Sequence, residues 1–416
     1  MTSVPPSPEA TKNMSNGLLD GIKVVDITHM LAGPYCAQWL GDMGADVIKV
    51  EATGQGDRSR HSAPSIMKDG KIGYGFLAVN RNKRGISVNL STEAGRGIIY
   101  KLVEQADVFL VNLRATTVKK LGLSYEELRR INPRLVYASI SGFGDKGPYK
   151  DLPGQDLQIQ AMTGLMSITG YKDRTSVPAG EAIADAVTGI QTAFGVLAAL
   201  YARHDTGMGQ EVKTSLFACL LGLFPQQVAF YMGNHLISPK AETGSTHSTP
   251  PYGVWRTKDG KEVAISTWRD EPWKGFCEGT GRTDLLEDPK FDGSDQRWDH
   301  REELKEIVQD IMLQKTRDEW IPLLREHGQW IVPVRNFEEI CTGDTHLRDN
   351  ELMFELDHPE LGASTFYGLP IKLSETPMTA RTHAPLLGEH TGEVLQELGY
   401  SETEIGEFVR AGVVQV

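Results

Sequence analysis

Asp156 in PGQD, Asp173 in TGYKD and Asp185 in GEAIAD are three aspartates whose carboxylates could do chemistry. A carboxylate can attack an acyl carbon as a nucleophile or pass a proton as acid or base. Each also has a structural reading. The YKDR run around Asp173 is a charged turn of the kind that faces water, and Asp156 and Asp185 precede helical runs whose first amides an aspartate caps well. The motifs of other chemistries are missing from the sequence. Cys36, Cys219, Cys277 and Cys341 lie far apart, with no C-x-x-C pair and no Cys/His cluster, so neither a zinc site nor a disulfide framework is indicated. Read as free thiols, they fit a reducing compartment. No G-x-G-x-x-G follows the first predicted strand and no P-loop pattern occurs, which disfavours a standard dinucleotide or nucleoside triphosphate site.

Positioning these groups falls to alternating strands and helices. IKVVDIT, from residue 22, is an apolar, β-branched run that stops at Thr28 and His29. Pro34 then suits the first turn of a helix, PYCAQWLGDMG, before a second apolar run, DVIKVE. Strand, helix and strand in close succession make a βαβ unit. The pattern recurs in GISVNL, a helix over 92–104, DVFLVNL, the helical LSYEELRRI and RLVYASISGFG. Strands with little polar alternation between helices predict an α/β fold on a mostly parallel sheet covered on both faces. Ligands of such sheets bind beyond the carboxyl ends of the strands, which places 28–32, 112–114 and 141–144 on one rim.

Charge and composition narrow the field. Lys and Arg number 43 against 55 Asp and Glu over 416 residues, a net charge of −12 with no long basic run, so a protein built chiefly to bind the nucleic-acid backbone is disfavoured. Hydrophobic residues at 40 % and charged residues at 24 % are those of a folded chain with room for more than one domain. Residues 1–17 hold no apolar signal-peptide core and read as a loose, disordered tail. The apolar stretches at 192–200 and 216–224 read as too short or interrupted to cross a bilayer. The expected location is the cytoplasm, with neither membrane nor nucleic acid as a partner.

The run 184–203 is apolar around most of its circumference and predicts a buried helix, its Ala and Gly content letting neighbouring backbones approach. The texture then changes. The sequence divides into a large domain over 18–225, a linker over 226–251, a small α+β domain over 252–332 and a C-terminal part over 333–416 that returns to the large domain. The small domain opens with the hairpin GVWRTKDGKEVAIST, turned at Asp259 and Gly260.

The string LDGIKVVDITHMLAGPYCAQWLGDMGADVIKVE resembles the opening of the class III coenzyme A transferases (the CaiB/BaiF family), among them formyl-coenzyme A transferase and carnitine coenzyme A transferase. NRNKRGISVNL, ADVFLVN, INPRLVYASISGFGDKGPY, QAMTGLMSITG and PLLGEHTGEVLQELG agree in the same order, so the resemblance covers about 18–416. It implies a large Rossmann-like domain built from both ends of the chain, a smaller domain between them, and an obligate homodimer interlocked like linked rings. It further implies transfer of coenzyme A from an acyl-coenzyme A donor, such as succinyl-coenzyme A, to a small carboxylic acid. Coenzyme A thioesters enter as substrates, with no metal and no permanently bound cofactor.

Asp173, after the ITG turn, matches the family's nucleophilic aspartate. Its flanks, Lys172 and Arg174, depart from the Asp-Gly-Pro often found there, and a neighbouring cation would hold the carboxylate ionised. The coenzyme A site carries over to His29, Leu31 and Ala32 after the first strand, to Val88, Asn89, Leu90 and Ser91, to Asn112, Leu113 and Arg114, to Lys120, and to Ser141, Gly142, Phe143 and Gly144. Lys120 stands where arginine can occur, and Ser91 and Ser141 where lysine can. Arg114, Lys83 or Arg84 are candidates to restore the missing positive charge, and Arg58, Arg60 and Arg81 are candidate anion contacts for the substrate. The same superfamily includes 2-methylacyl-coenzyme A racemases, which use a His-Asp pair and a second aspartate. The matching positions are Gln155 with Asp156, and Asp185, and glutamine cannot serve as acid or base. A racemase, an intramolecular transferase acting within one dicarboxylyl-coenzyme A and a non-catalytic acyl-coenzyme A binder are the alternatives.

Overall fold

The computed structural model describes residues 17–62, 73–266, 270–343 and 345–416; of the tail expected at 1–17, residues 1–16 lie outside them. Six runs form β1 (Lys23–Asp26), β2 (Asp46–Glu51), β3 (Lys83–Val88), β4 (Val108–Val111), β5 (Val136–Ser141) and β6 (Glu211–Ser215). They lie in the order β3-β2-β1-β4-β5-β6, every neighbouring pair parallel. That is the doubly wound order, with its reversal between β1 and β4.

Side chains along a strand alternate between the two faces of a sheet, and here both faces are apolar. Val25, Ile48, Ile86 and Phe109 enter one core with Ile98, Ile99 and Leu102 of the Glu93–Gln105 helix. Val24, Val47, Val108 and Val136 enter the other, with Cys36 and Leu40 of the Ala32–Asp42 helix and Ala193, Val196 and Ala199 of the Ile183–Thr206 helix. This double burial is why the strands lack polar alternation.

The Ile183–Thr206 helix departs from its sequence reading. Its inward stripe, including Ala184, Thr188, Thr192, Val196, Ala199 and Arg203, recurs at helical spacing. A Cβ on Gly189 would sit 2.7 Å from the Ala32 carbonyl oxygen, so glycine there lets two backbones close. The outer face is open: Phe194 is 74 % and Tyr201 79 % exposed. By length and composition alone the helix is long and apolar enough to cross a membrane, a test that the core helix of a globular protein passes as well. Within this unit its inner face meets protein, and apolar composition does not state how many sides of a helix are covered.

Two compact units share the chain. The sheet unit comprises Met1–Thr163, Glu181–Leu223 and Arg348–Val416, and the other comprises Gly164–Gly180 and Phe224–Leu347. The second folds around an antiparallel sheet of β7 (Gly253–Arg256), β8 (Glu262–Ile265) and β9 (Ile331–Pro333), over a core that includes Trp255, Phe276, Leu304 and Trp320. Its division differs from the sequence reading. Residues 226–251, read as a linker, belong to this unit and include most of the Pro225–Asn234 helix, which has proline in its first turn. Residues 164–180 and 333–347 belong to it as well. Polar, Pro-containing composition marks where water is tolerated, not which core a segment joins.

The last part of the sheet unit adds the hairpin of β10 (Met353–His358) and β11 (Gly362–Tyr367), two helices, Thr391–Glu397 and Glu402–Arg410, and β12 (Val414–Gln415). β12 runs antiparallel to β3 and covers its edge, an element too short to leave a periodic signal in the sequence. Val413 and Val414 are buried in the first core, and the Val413 carbonyl accepts the Asn89 amide at 2.8 Å. Deleting residues 413–416 is expected to lower stability by about 2–4 kcal/mol, the worth of two buried valines. Urea unfolding reads this directly, and an unchanged midpoint would refute the closing role of β12.

Candidate active site

The strand order reverses between β1 and β4, and ligands of such sheets bind beyond the carboxyl ends of the strands at that point. His29 follows β1 and Asn112 follows β4, and the two loops are tied together. Asn112 Oδ1 accepts the His29 amide at 2.9 Å, and its Nδ2 donates to the His29 carbonyl at 2.8 Å. The sequence placed both residues on one rim, and the structure joins them directly. Met30 follows with φ 68°, a left-handed backbone unusual for a side chain of its size.

A buried ionic cluster underlies this segment. Lys83 Nζ pairs with Asp26 at 3.1 Å and also donates to the Pro34 carbonyl and Asn80 Oδ1. Lys49 Nζ pairs with Asp57 at 3.2 Å and donates to the Thr28 carbonyl at 2.9 Å. Arg60 closes a two-pronged pair with Glu51, whose Oε1 also accepts the Asp57 amide. Burial alone would raise Asp26, but Lys83, Lys49 and the Thr28 hydrogen bonds outweigh it and hold the carboxyl below its usual range. Burial likewise opposes the Lys49 charge, yet Asp26, Asp57 and Glu51 hold its ammonium above the usual value. Lys83 goes the other way, pushed down to about 8 by burial and by the charge of Lys49 against the pull of Asp26. His29, half-buried, is held below its ordinary value by burial and by the charge of Lys49.

The remaining rim residues divide by exposure. Asn89 Oδ1 accepts both the amide and the hydroxyl of Ser91, which is exposed, while Leu90 is half-buried. Leu113 is half-buried, and Arg114 and Lys120 are exposed at the two ends of the Ala115–Lys120 helix. Ser141 Oγ accepts the Gly144 amide at 3.0 Å, and Phe143 leans on Tyr149 and Phe217. A Cβ on Gly142 would lie 2.5 Å from Gly154 Cα, so only glycine admits this crossing of the two loops. Leu31 is half-buried, but Ala32 and Val88 are in the core, which removes their side chains from the surface.

Several cations offered by the sequence are spent inside the fold. Lys83 and Arg60 serve the cluster. Arg81 is paired with Asp42. Arg84 bonds Asp46, Glu393 and Glu397. These four do not restore charge to an anion site. Arg58 is exposed. The cluster itself was missed by sequence reasoning, although it left a signal: an aspartate in KVVD and a lysine in DVIKVE, each inside an apolar strand.

Asp173 lies in the second unit, exposed on a turn after the Leu165–Ile168 helix. The backbone around it is pinned. The Ala241 amide donates to the Ile168 carbonyl at 2.8 Å, the Glu242 amide to the Gly170 carbonyl at 3.0 Å, and Lys240 Nζ to the Arg174 carbonyl at 2.7 Å. Lys172 pairs with Glu302 at 3.1 Å, and its ammonium also interacts with the Asp173 charge. Asp156 and Asp185 lie in the sheet unit. Asp156 Oδ1 accepts the Ala184 amide at 2.7 Å and so caps the Ile183–Thr206 helix from a neighbouring element, while Oδ2 accepts from Gln160. Gln155 caps the Asp156–Met162 helix through a reciprocal bond with Gln158, a structural task. Asp185, in the first turn of the long helix, is raised to about 6 by burial and by the Asp156 charge.

A carboxyl whose folded pKa is raised adds stability below the unfolded value near 4 and loses that contribution as pH rises through 6. Asp185→Asn is therefore expected to be more stable than the parent at pH 7.5 by about 1–2 kcal/mol, after allowance for partial solvent screening. The gap closes towards pH 4. Urea midpoints across pH 4–8 test this, and parallel curves for the two proteins would refute the burial penalty.

The description of CoA-transferase family III matches residues 19–391, a span that holds the rim loops and the Asp173 turn. An acyl-CoA transferase of Fusarium pseudograminearum is 37 % identical over 409 residues, 96 % of this chain and 89 % of the relative. A succinyl-CoA:mesaconate CoA-transferase of Haloarcula hispanica is 37 % identical over 390 residues, 92 % of this chain and 97 % of its own. A solved CAIB/BAIF family protein from Brucella suis superposes with a TM-score of 0.83 at 33 % identity, over 92 % of this chain and 100 % of its own. Sheet order, rim loops and chain-long identity converge, and the chain belongs to CoA-transferase family III as a class III coenzyme A transferase.

Proposed function

We propose that the protein moves coenzyme A from succinyl-coenzyme A to a small carboxylic acid, a dicarboxylate as first choice, with Asp173 as the nucleophile. The observation that carries this reading is an exposed carboxylate on a backbone pinned at Ile168, Gly170 and Arg174, because a nucleophile works best when its approach is fixed and its oxygens are not. In this reading the rim residues His29, Leu31, Asn89, Leu90, Ser91, Asn112, Leu113, Arg114, Lys120 and the 141–144 loop bind the coenzyme. The succinyl donor is supported by relatives such as the mesaconate enzyme named above.

Each turnover then has four steps. An Asp173 oxygen attacks the thioester carbonyl, the carbon–sulfur bond breaks, and a mixed anhydride and coenzyme A thiolate result. The thiolate attacks the aspartyl carbonyl, which releases the donor acid and leaves an aspartyl thioester. The acceptor carboxylate attacks that thioester, giving a second anhydride and the thiolate. Attack of the thiolate on the acceptor carbonyl forms the new thioester and restores Asp173. These steps balance without metal, oxidant or net proton.

The active species in this reading is a homodimer of interlocked chains, and the exposed apolar side chains of the long helix are what a second copy would cover. Four free thiols, three of them buried, suit the cytoplasm, the compartment we propose.

Asp173→Ala is expected to lose transfer by about a thousandfold or more, and the parent alone should gain a hydroxylamine-sensitive mass after succinyl-coenzyme A. Intact-protein mass spectrometry, with product thioesters read over a panel of acids and with donor alone, checks both this and intramolecular transfer. Equal activity in the two proteins, or α-proton exchange without transfer, would remove the nucleophile assignment. Phe194→Glu is expected to lower the melting temperature of the interlocked dimer by several degrees and its transfer activity with it, whereas a melting temperature and activity equal to the parent's would refute the covered face.

A further inference from the structure

We infer that the buried Lys49–Asp57 pair positions His29 for coenzyme A binding, a proposal that rests on the coenzyme-binding reading of the rim. The two charged groups grip the two peptide units that flank His29. Lys49 Nζ donates to the Thr28 carbonyl at 2.9 Å, and Asp57 accepts the Met30 amide through Oδ1 and Oδ2 at 3.1 and 3.2 Å. The pair closes on itself at 3.2 Å with both side chains wholly buried.

The grip is complete along the segment. Asp26 Oδ1 accepts the Thr28 amide at 2.9 Å, and Asn112 takes both the amide and the carbonyl of His29. Every amide from 28 to 30, and the carbonyls of 28 and 29, is thereby held by a side chain. Asp57 is itself fixed by the Ser59 amide and hydroxyl, each at 2.9 Å from Oδ1. Met30 keeps φ 68° with its side chain outward, a backbone state that persists only where its surroundings over-determine it. A buried ion pair is a poor source of stability compared with apolar residues of equal volume. Its use here sets the φ and ψ of one rim residue before any ligand arrives, so the ligand bears less of the ordering cost. Lys49 and Asp57 are positioning residues, since neither reaches the surface.

Two measurements test this. Asp57→Asn and Lys49→Met, checked for folding by near-ultraviolet circular dichroism, are expected to weaken binding of free coenzyme A at least tenfold by calorimetry. KM for succinyl-coenzyme A should rise in parallel, with kcat changed less than threefold. A folded variant that binds coenzyme A like the parent, with only its melting temperature lowered, would overturn the proposal. Hydrogen exchange on the parent needs no variant: without coenzyme A, the amides of 28–30 should exchange as slowly as those of β1. Fast exchange that slows only when coenzyme A is added would overturn it as well. Failure of the parent itself to bind coenzyme A would overturn the rim reading, and the inference with it, an outcome distinct from loss in the variants alone.

Discussion

Asp26 of β1 is bonded to Lys83 of β3, and Lys49 of β2, which lies between them in the sheet, is bonded to Asp57 beyond its end. All four side chains are withdrawn from water. An ion in such a place costs several kcal/mol unless its partners are close and its remaining hydrogen-bonding capacity is used. Much of the local architecture follows from meeting that requirement. The Thr28 and Pro34 carbonyls turn inward to lysine, the Met30 amide turns inward to aspartate, and the Asn80 side chain, three residues before Lys83, accepts from it. The first βα connection is shaped by charges beneath it, and this connection lies where the strand order of the sheet reverses.

Around that centre the two-faced sheet supplies rigidity. Apolar residues alternate to opposite cores along β1, β2 and β4, so each strand is fixed from both sides. Glycine is used where elements must touch: Gly189 lets the long helix meet the Ala32–Asp42 helix, and Gly142 lets the loop after β5 cross Gly154. A rim built on such strands holds its loops to narrow tolerances.

Charge is distributed with the same economy. Arg81, just before β3, and Lys83 and Arg84, which open it, are consumed by Asp42, Asp26 and Asp46, so in the proposed coenzyme-binding reading positive charge would come from exposed groups such as Arg114 and Lys120. Those are point contacts in water, weaker and more sensitive to salt than buried ones.

The sequence by itself determined the strand runs, the parallel α/β class, the hairpin turned at Asp259 and Gly260, the three rim loops and the family of the chain. These features are local: they depend on period, turn residues and contiguous motif, and a linear string contains all three. The Asp26 and Lys49 positions were visible too, as charges inside apolar runs, but not their partners, because Lys83 and Asp57 come from other segments. Only the tertiary structure decided which cations are spent internally, that Asp156 caps a helix begun more than twenty residues later, that the long helix keeps Phe194 and Tyr201 outside, and that 164–180 and 224–251 join the second unit. Each of these is a question of which distant group lies within a few ångströms, and burial, pairing and pKa are set by that distance, which spacing along a chain does not contain.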